Sequence, residues 1–177
     1  PANVACALRK LKIDSTFIGS LGSDDFGKKF IDKFNELEVN LNFLQIDNDS
    51  STRVVNVDRD QAGDRFFSGF KANSHPYFAD DALSKNLIEN QLPSLEKLFL
   101  ETKYLVTGTI LLSSPMSAET IFFLLEKAKK FQVKIIIDLN WREVFWDYSN
   151  FSSELSKTER VNLIKKFLNH AHVLKLA

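Results

Sequence analysis

The sequence predicts an α/β fold, with a parallel sheet carrying helices on its faces. Two observations carry that reading. Short apolar runs alternate with segments whose apolar residues recur at helical spacing, and strand–helix alternation of this kind favours parallel pairing. One stretch interrupts the alternation: residues 51–70 read as a hairpin too polar on one face for a buried sheet.

The elements follow in order. Val4, Ala7, Leu8 and Leu11 place an apolar stripe on a first helix. Residues 15–19 read as a short buried strand. A helix follows Gly22 and runs to about Val39, with Phe26, Phe30, Phe34 and Leu37 on one side. Residues 41–47 are extended. Residues 51–59 alternate, residues 60–63 turn, and residues 64–70 return. Residues 71–79 are irregular, and Asp80 is placed to cap a short helix through Ile88. A further helix covers residues 94–102, and a strand covers 104–107 and ends at Gly108. Ser117 is placed to cap a helix with Ile121, Leu124, Leu125 and Ala128 inside. Residues 133–138 form the clearest buried strand, residues 158–170 a helix, and a last strand closes the chain.

Composition narrows the function. The chain has 177 residues, enough for one domain with a real core. Lys+Arg and Asp+Glu both number 23, so no net charge draws nucleic acid or an anionic membrane. No apolar run approaches a membrane span and no secretory signal is visible. Cys6 is the single cysteine, which fits a cytoplasmic protein without internal disulfides. The chain starts on Pro1 inside a helical pattern and stops on a strand, so it is expected to be a piece of a longer protein.

Residues 22–29, GSDDFGKK, nearly spell a phosphate-binding P-loop. The chemistry argues otherwise. Asp24 and Asp25 would repel phosphate inside the cradle, and Lys29 stands where a hydroxyl must hold Mg²⁺. A helix start capped by Ser23 or Asp24 explains the stretch. No Gly-x-Gly-x-x-Gly follows a strand, so a dinucleotide-dependent oxidoreductase has little support. His75, His170 and His172 have no metal-site partners.

In open α/β sheets ligands bind beyond the carboxyl ends of strands. Residues 138–142, Asp-Leu-Asn-Trp-Arg, turn polar abruptly at such an end. A carboxylate, an amide and a guanidinium together suit a polyhydroxylated or phosphorylated ligand. Equally, Asp138 can cap a turn and pair with Arg142. Trp141, Phe145 and Trp146 could wall a sugar, although core packing suits them better. Asn3 either starts the first helix or binds a hydroxyl from its N-terminus.

Five blocks together resemble the pfkB-type sugar kinases, the ribokinase and fructokinase group. Residues 1–5, Pro-Ala-Asn-Val-Ala, resemble the tail of Gly-Gly-Ala-Pro-x-Asn-Val-Ala. Residues 18–27 resemble Gly-x-x-Gly-x-Asp-x-Phe-Gly, which accounts for the false P-loop. Residues 63–67 resemble a lid segment, residues 78–80 the Ala-Asp after it, and Asp138 to Trp146 resembles Asp-x-Asn-x-Arg-x-x-x-Trp. The resemblance spans nearly the whole chain in the family's order. Lys12 departs from it, standing where the family has Gly.

The resemblance implies a three-layer α/β/α ribokinase-like domain, truncated at both ends, with lid strands at about residues 41–70. It implies ATP-dependent phosphoryl transfer to a sugar hydroxyl, with Mg²⁺, and fructose or another furanose-type sugar as acceptor. By position, Asn3, Gly22, Lys71, Asp138, Asn140 and Arg142 become the substrate-binding set, with Gly22 and Asp24 shaping the loop. The Gly-Ala-Gly-Asp motif that supplies the catalytic base does not occur, so no catalytic or metal-binding residue is assigned and the isolated chain is expected to be inactive. A homodimer through the lid is a further expectation. The rival reading is a non-catalytic sugar-binding or regulatory relative. The unifying expectation is that Asn3 and Arg142 share one carbohydrate pocket.

Overall fold

A computed structural model describes residues 1–71, 77–141, 145–146 and 155–176. The chain forms two compact units, Ala2–Ala82 and Leu83–Ala177, the latter joined by Pro1.

The first unit opens with α1 (Ala2–Lys10), β1 (Thr16–Gly22), α2 (Asp25–Glu36) and β2 (Asn40–Asp47). β1 and β2 pair in parallel, from Thr16 opposite Asn40 to Gly22 opposite Asp47, with α2 as the crossover. The strand expected over residues 15–19 therefore continues through Gly22. β2 belongs to this parallel pair and not to the hairpin. Ala5, Leu21, Phe34 and Val39 form the core, with Phe17, Ile31, Leu37, Leu41 and Leu44 packed around them. Phe17 and Phe34 meet with their rings tilted, 4.8 Å between centroids. Burying a side chain such as Phe34 contributes about 1.5–3 kcal/mol.

The hairpin is β3 (Val55–Arg59) with β4 (Arg65–Phe70). Its turn is fixed locally. The Asp60 carboxylate accepts from the Ala62 and Asp64 N–H groups, both at 2.9 Å, and Gly63 takes a φ of 88° that other residues avoid. A 3-10 turn, Ala79–Ala82, completes the unit.

The second unit runs α3 (Lys85–Glu89), α4 (Leu92–Glu101), β5 (Tyr104–Gly108), a 3-10 turn (Thr109–Ser113), α5 (Pro115–Lys130), β6 (Lys134–Leu139), α6 (Lys157–Leu168) and β7 (Val173–Leu176). The three strands form a parallel sheet in the order β5-β6-β7. Ile135 and Ile137 of β6, Leu124, Leu125 and Ala128 of α5, and Phe167 of α6 are buried. α6 starts on a capping box between Ser156 and Glu159.

Three helix ends share one device. α1, α2 and α5 each stop at a non-glycine residue in the left-handed region: Lys12 (φ 61°), Glu38 (φ 57°) and Gln132 (φ 58°). The next residue then bonds back to the helix: Ile13 N–H to the Leu8 carbonyl at 2.9 Å, Val39 to Phe34 at 2.9 Å, Val133 to Ala128 at 2.8 Å. This is the Schellman closure, normally built on glycine. α2 therefore ends at Glu36 and not near Val39, because nothing in the composition marks the stop.

Two caps differ from expectation. Asp80 caps no helix. The segment splits into a 3-10 turn and α3, and the Asp80 carboxylate is held by Arg53 instead. α5 begins with Pro115 at its first turn behind Ser114, because proline is preset for that position. The Ser117 hydroxyl donates to the Leu111 and Ser114 carbonyls.

Candidate functional site

In the first unit, Gly22 closes β1. It is buried, and its N–H donates to the Thr52 hydroxyl at 3.0 Å. A Cβ on Gly22 would lie 2.6 Å from the Ser50 carbonyl oxygen and the Thr52 nitrogen, so only glycine fits. Asp24 caps α2 by accepting from Gly27 N–H at 2.8 Å, and its other oxygen accepts from Thr52 N–H at 2.8 Å. Burial pushes the Asp24 carboxyl up, but the N–H donors of Gly27 and Thr52, the Thr52 hydroxyl and the Phe26 N–H outweigh it and hold the carboxyl below its usual range. Gly27 seals the junction: a Cβ there would sit 1.9 Å from the Gly22 carbonyl oxygen.

Asn3 lies in the first turn of α1 and is exposed, and no described residue bonds its amide. Lys71 leaves the hairpin. Its N–H donates to the Val54 carbonyl at 2.9 Å, and its ammonium lies 4.8 Å from the centre of the Phe26 ring.

In the second unit, β5 and β6 end side by side, Gly108 opposite Asp138. A Cβ at Gly108 would come within 3.1 Å of the Asp138 carbonyl oxygen, so glycine allows this close approach. The Asp138 Oδ1 accepts from Lys175 Nζ at 2.9 Å, while the side chain stays 37% exposed. Asn140 folds back, its N–H donating to the Asp138 carbonyl at 2.9 Å and its own carbonyl accepting from the buried Thr109 hydroxyl at 3.3 Å. Trp141 stacks on the buried Trp146 at 5.1 Å and is 42% exposed. Packing therefore claims Phe145 and Trp146, whereas Trp141 keeps a face open.

The structure thus brings Asp138 and Asn140 together at one strand end. It places Asn3, Gly22 and Lys71 in the other unit. Arg142 and His75 lie outside the described residues. Sequence reading missed Thr52 and Lys175. Thr52 acts on a residue 30 positions away and carries no local signal. Lys175 was findable, because parallel register sets it opposite Asp138 once β6 and β7 are aligned. Among the described residues no group of three or more His, Cys, Asp or Glu could hold a metal, and no helix is long and apolar enough to cross a membrane.

The profile described as pfkB family carbohydrate kinase matches residues 1–175. The chain belongs to the pfkB family of carbohydrate kinases. It is 32% identical over 146 residues to a fructokinase of Klebsiella pneumoniae, a match covering 82% of this chain and 44% of that protein. Among solved structures it resembles a fructokinase from Xylella fastidiosa, with a TM-score of 0.78 and 26% identity, covering 98% of this chain and 48% of that one. The same fructokinase solved with bound ATP matches with a TM-score of 0.77 and 25% identity, covering 98% and 49%. This pfkB chain spans about half the length of the curated relatives it matches. The expected α/β ribokinase-like fold is therefore the one present.

Proposed function

We propose that the protein transfers the γ-phosphoryl group of ATP to a hydroxyl of fructose or a related furanose-type sugar. The observation that carries this reading is Asp138 at the carboxyl end of β6, half exposed, with one oxygen held by Lys175. Oδ2 takes no hydrogen bond among the described residues, so it is available to accept from sugar hydroxyls. Family membership and fructokinase relatives supply the substrate class.

The remaining roles follow from the chemistry of each group. Asn140 offers an amide beside Asp138, and Arg142, two residues on in sequence, a guanidinium, for hydroxyl or phosphate oxygens. Asn3 presents an unengaged amide at a helix N-terminus, which suits a neutral hydroxyl. Lys71 supplies positive charge at the hairpin exit, and Gly22 shapes the turn beside the sugar. These groups bind and orient the acceptor, which supplies much of the rate gain when two substrates must meet in line. The proton-accepting base and the ATP-binding groups belong to the remainder of the protein. Mg²⁺ finds no ligand cluster among the described residues, so no step here is assigned to it.

Two further readings belong to the same proposal. The site of action is the cytoplasm, in keeping with a single thiol. The hairpin pairs with a second copy, supported by Val57 and Phe67, which face each other across the ladder and are 48% and 43% exposed.

The deciding experiment is a coupled ATP assay of the full-length protein against fructose, ribose, fructose 6-phosphate and sugar acids. Turnover with fructose well above the others supports the reading, and no turnover with any sugar refutes it. The isolated chain of 177 residues should give none.

A further inference from the structure

The β3–β4 hairpin departs from the first unit after Thr52 and returns at Lys71, and the Arg53 side chain lies at its base. Arg53 is 7% exposed. Its guanidinium lies 5.0 Å from the centre of the Phe70 ring and 4.6 Å from that of Phe78. Those rings also meet each other, at 5.5 Å. The Nε–H donates to both Asp80 oxygens, at 3.0 and 2.9 Å, and Nη2 reaches Asp81 at 2.6 Å. Asp81 in turn accepts from the Phe78 N–H at 3.1 Å. Arg53 thus links the residues that lead into β3, the last residue of β4, and the 3-10 turn at Ala79–Ala82.

This arrangement is costly for a mere fastener. One positive charge faces two carboxylates, and the side chains of Arg53 and Asp81 are only 7% and 8% exposed. Replacing a buried ion cluster with apolar side chains is often neutral or stabilising. What apolar residues would not supply is direction. A planar guanidinium held over two rings and bonded to two carboxylates admits few orientations, and lysine cannot reproduce both contacts. The backbone bonds beside it, Lys71 N–H to Val54 and Ala79 N–H to Ser51, close the same base without fixing the tilt of the arm beyond it.

We propose that Arg53 is a positioning residue, which sets the angle of the β3–β4 hairpin and thereby its closure on the bound sugar. The catalytic consequence depends on the kinase reading above; the control of the hairpin does not.

The test uses the full-length protein, wild type and the variants Arg53→Met, Arg53→Lys and Asp80→Asn. Asp80 is 32% exposed, so its variant keeps the fold if Arg53→Met fails to. Amide hydrogen exchange is read over residues 55–59 and 65–70, with β1 and β2 as internal reference. Exchange in the hairpin should rise about tenfold in Arg53→Met and less in Asp80→Asn, while β1 and β2 stay within about twofold. Arg53→Lys should not restore protection. In the sugar kinase assay, KM for sugar should rise about tenfold with KM for ATP unchanged. Unchanged hairpin exchange in both Arg53→Met and Asp80→Asn overturns the proposal, as does equal acceleration in β1 and β2. Faster hairpin exchange with an unchanged sugar KM also overturns the positioning role. Faster hairpin exchange in a protein whose wild type phosphorylates no sugar supports control of the hairpin and refutes the kinase reading alone.

Discussion

The carboxyl ends of β1 and β6 carry motif residues of equal prominence and use them differently. At Gly22 the chain consumes everything it offers. The N–H is bonded to Thr52, the Cα face is pressed on residues 50–52, and Asp24 is spent on Gly27 and Thr52. At Asp138 one oxygen is tied to Lys175, the side chain stays 37% exposed, and Gly108 keeps the neighbouring strand close. The first end is a joint and the second an open hand. A family motif therefore mixes residues consumed by the fold with residues left open to solvent, and only burial and bonding separate them.

The contrast is broken most easily at the joint. Gly27→Ala should cost about 3 kcal/mol or more, because its methyl would collide with rigid backbone. Gly108→Ala should cost less, since its nearest contact is 3.1 Å rather than 1.9 Å. Urea denaturation of both variants checks the order. Asp24→Ala should follow at about 1–2 kcal/mol, having lost a helix cap and the bond to Thr52.

Asp138→Asn should cost stability little, within about 0.5 kcal/mol, because its ion pair is largely exposed. In the full-length protein it should still raise the sugar KM about tenfold.

Acid titration sharpens the comparison further. The Asp24 carboxyl is held low, so its stabilisation is present above the usual carboxylate range and is lost as pH falls toward the native value. Asp81 is the reverse. Burial first, then the charge of Asp80, push it up against the pull of Arg53. Its contribution is fullest at acid pH and is lost as pH rises through the raised value. Asp24→Asn should therefore flatten the acid loss of stability, read from denaturation midpoints below the usual carboxylate range, and Asp81→Asn should steepen it, read from midpoints just above that range. Lys12→Gly acts in the opposite sense and should gain about 1 kcal/mol by relieving a left-handed lysine.

Much of this was legible because it is periodic or local. The apolar run of residues 135–137, the helical stripe of Ile121, Leu124 and Leu125, and the Asp60–Gly63 turn all announce themselves in composition. The helix ends at Lys12, Glu38 and Gln132 do not, because ordinary residues occupy the left-handed position there. The placing of β2 was also hidden, since an extended run looks the same whether it joins a hairpin or a parallel sheet. Arg53 read as one face of an alternating strand. Its partner Asp80 lies 27 residues away, and no local pattern reports an ion cluster assembled by tertiary packing.

The most direct measurement is calorimetric titration of fructose into the full-length protein and its Asp138→Asn variant, with denaturation midpoints recorded alongside. Wild type should bind, and the variant should bind about tenfold more weakly with its midpoint unmoved. Equal affinity in the two proteins, or a variant that loses its fold together with its sugar, would contradict an open, ligand-facing role for the end of β6.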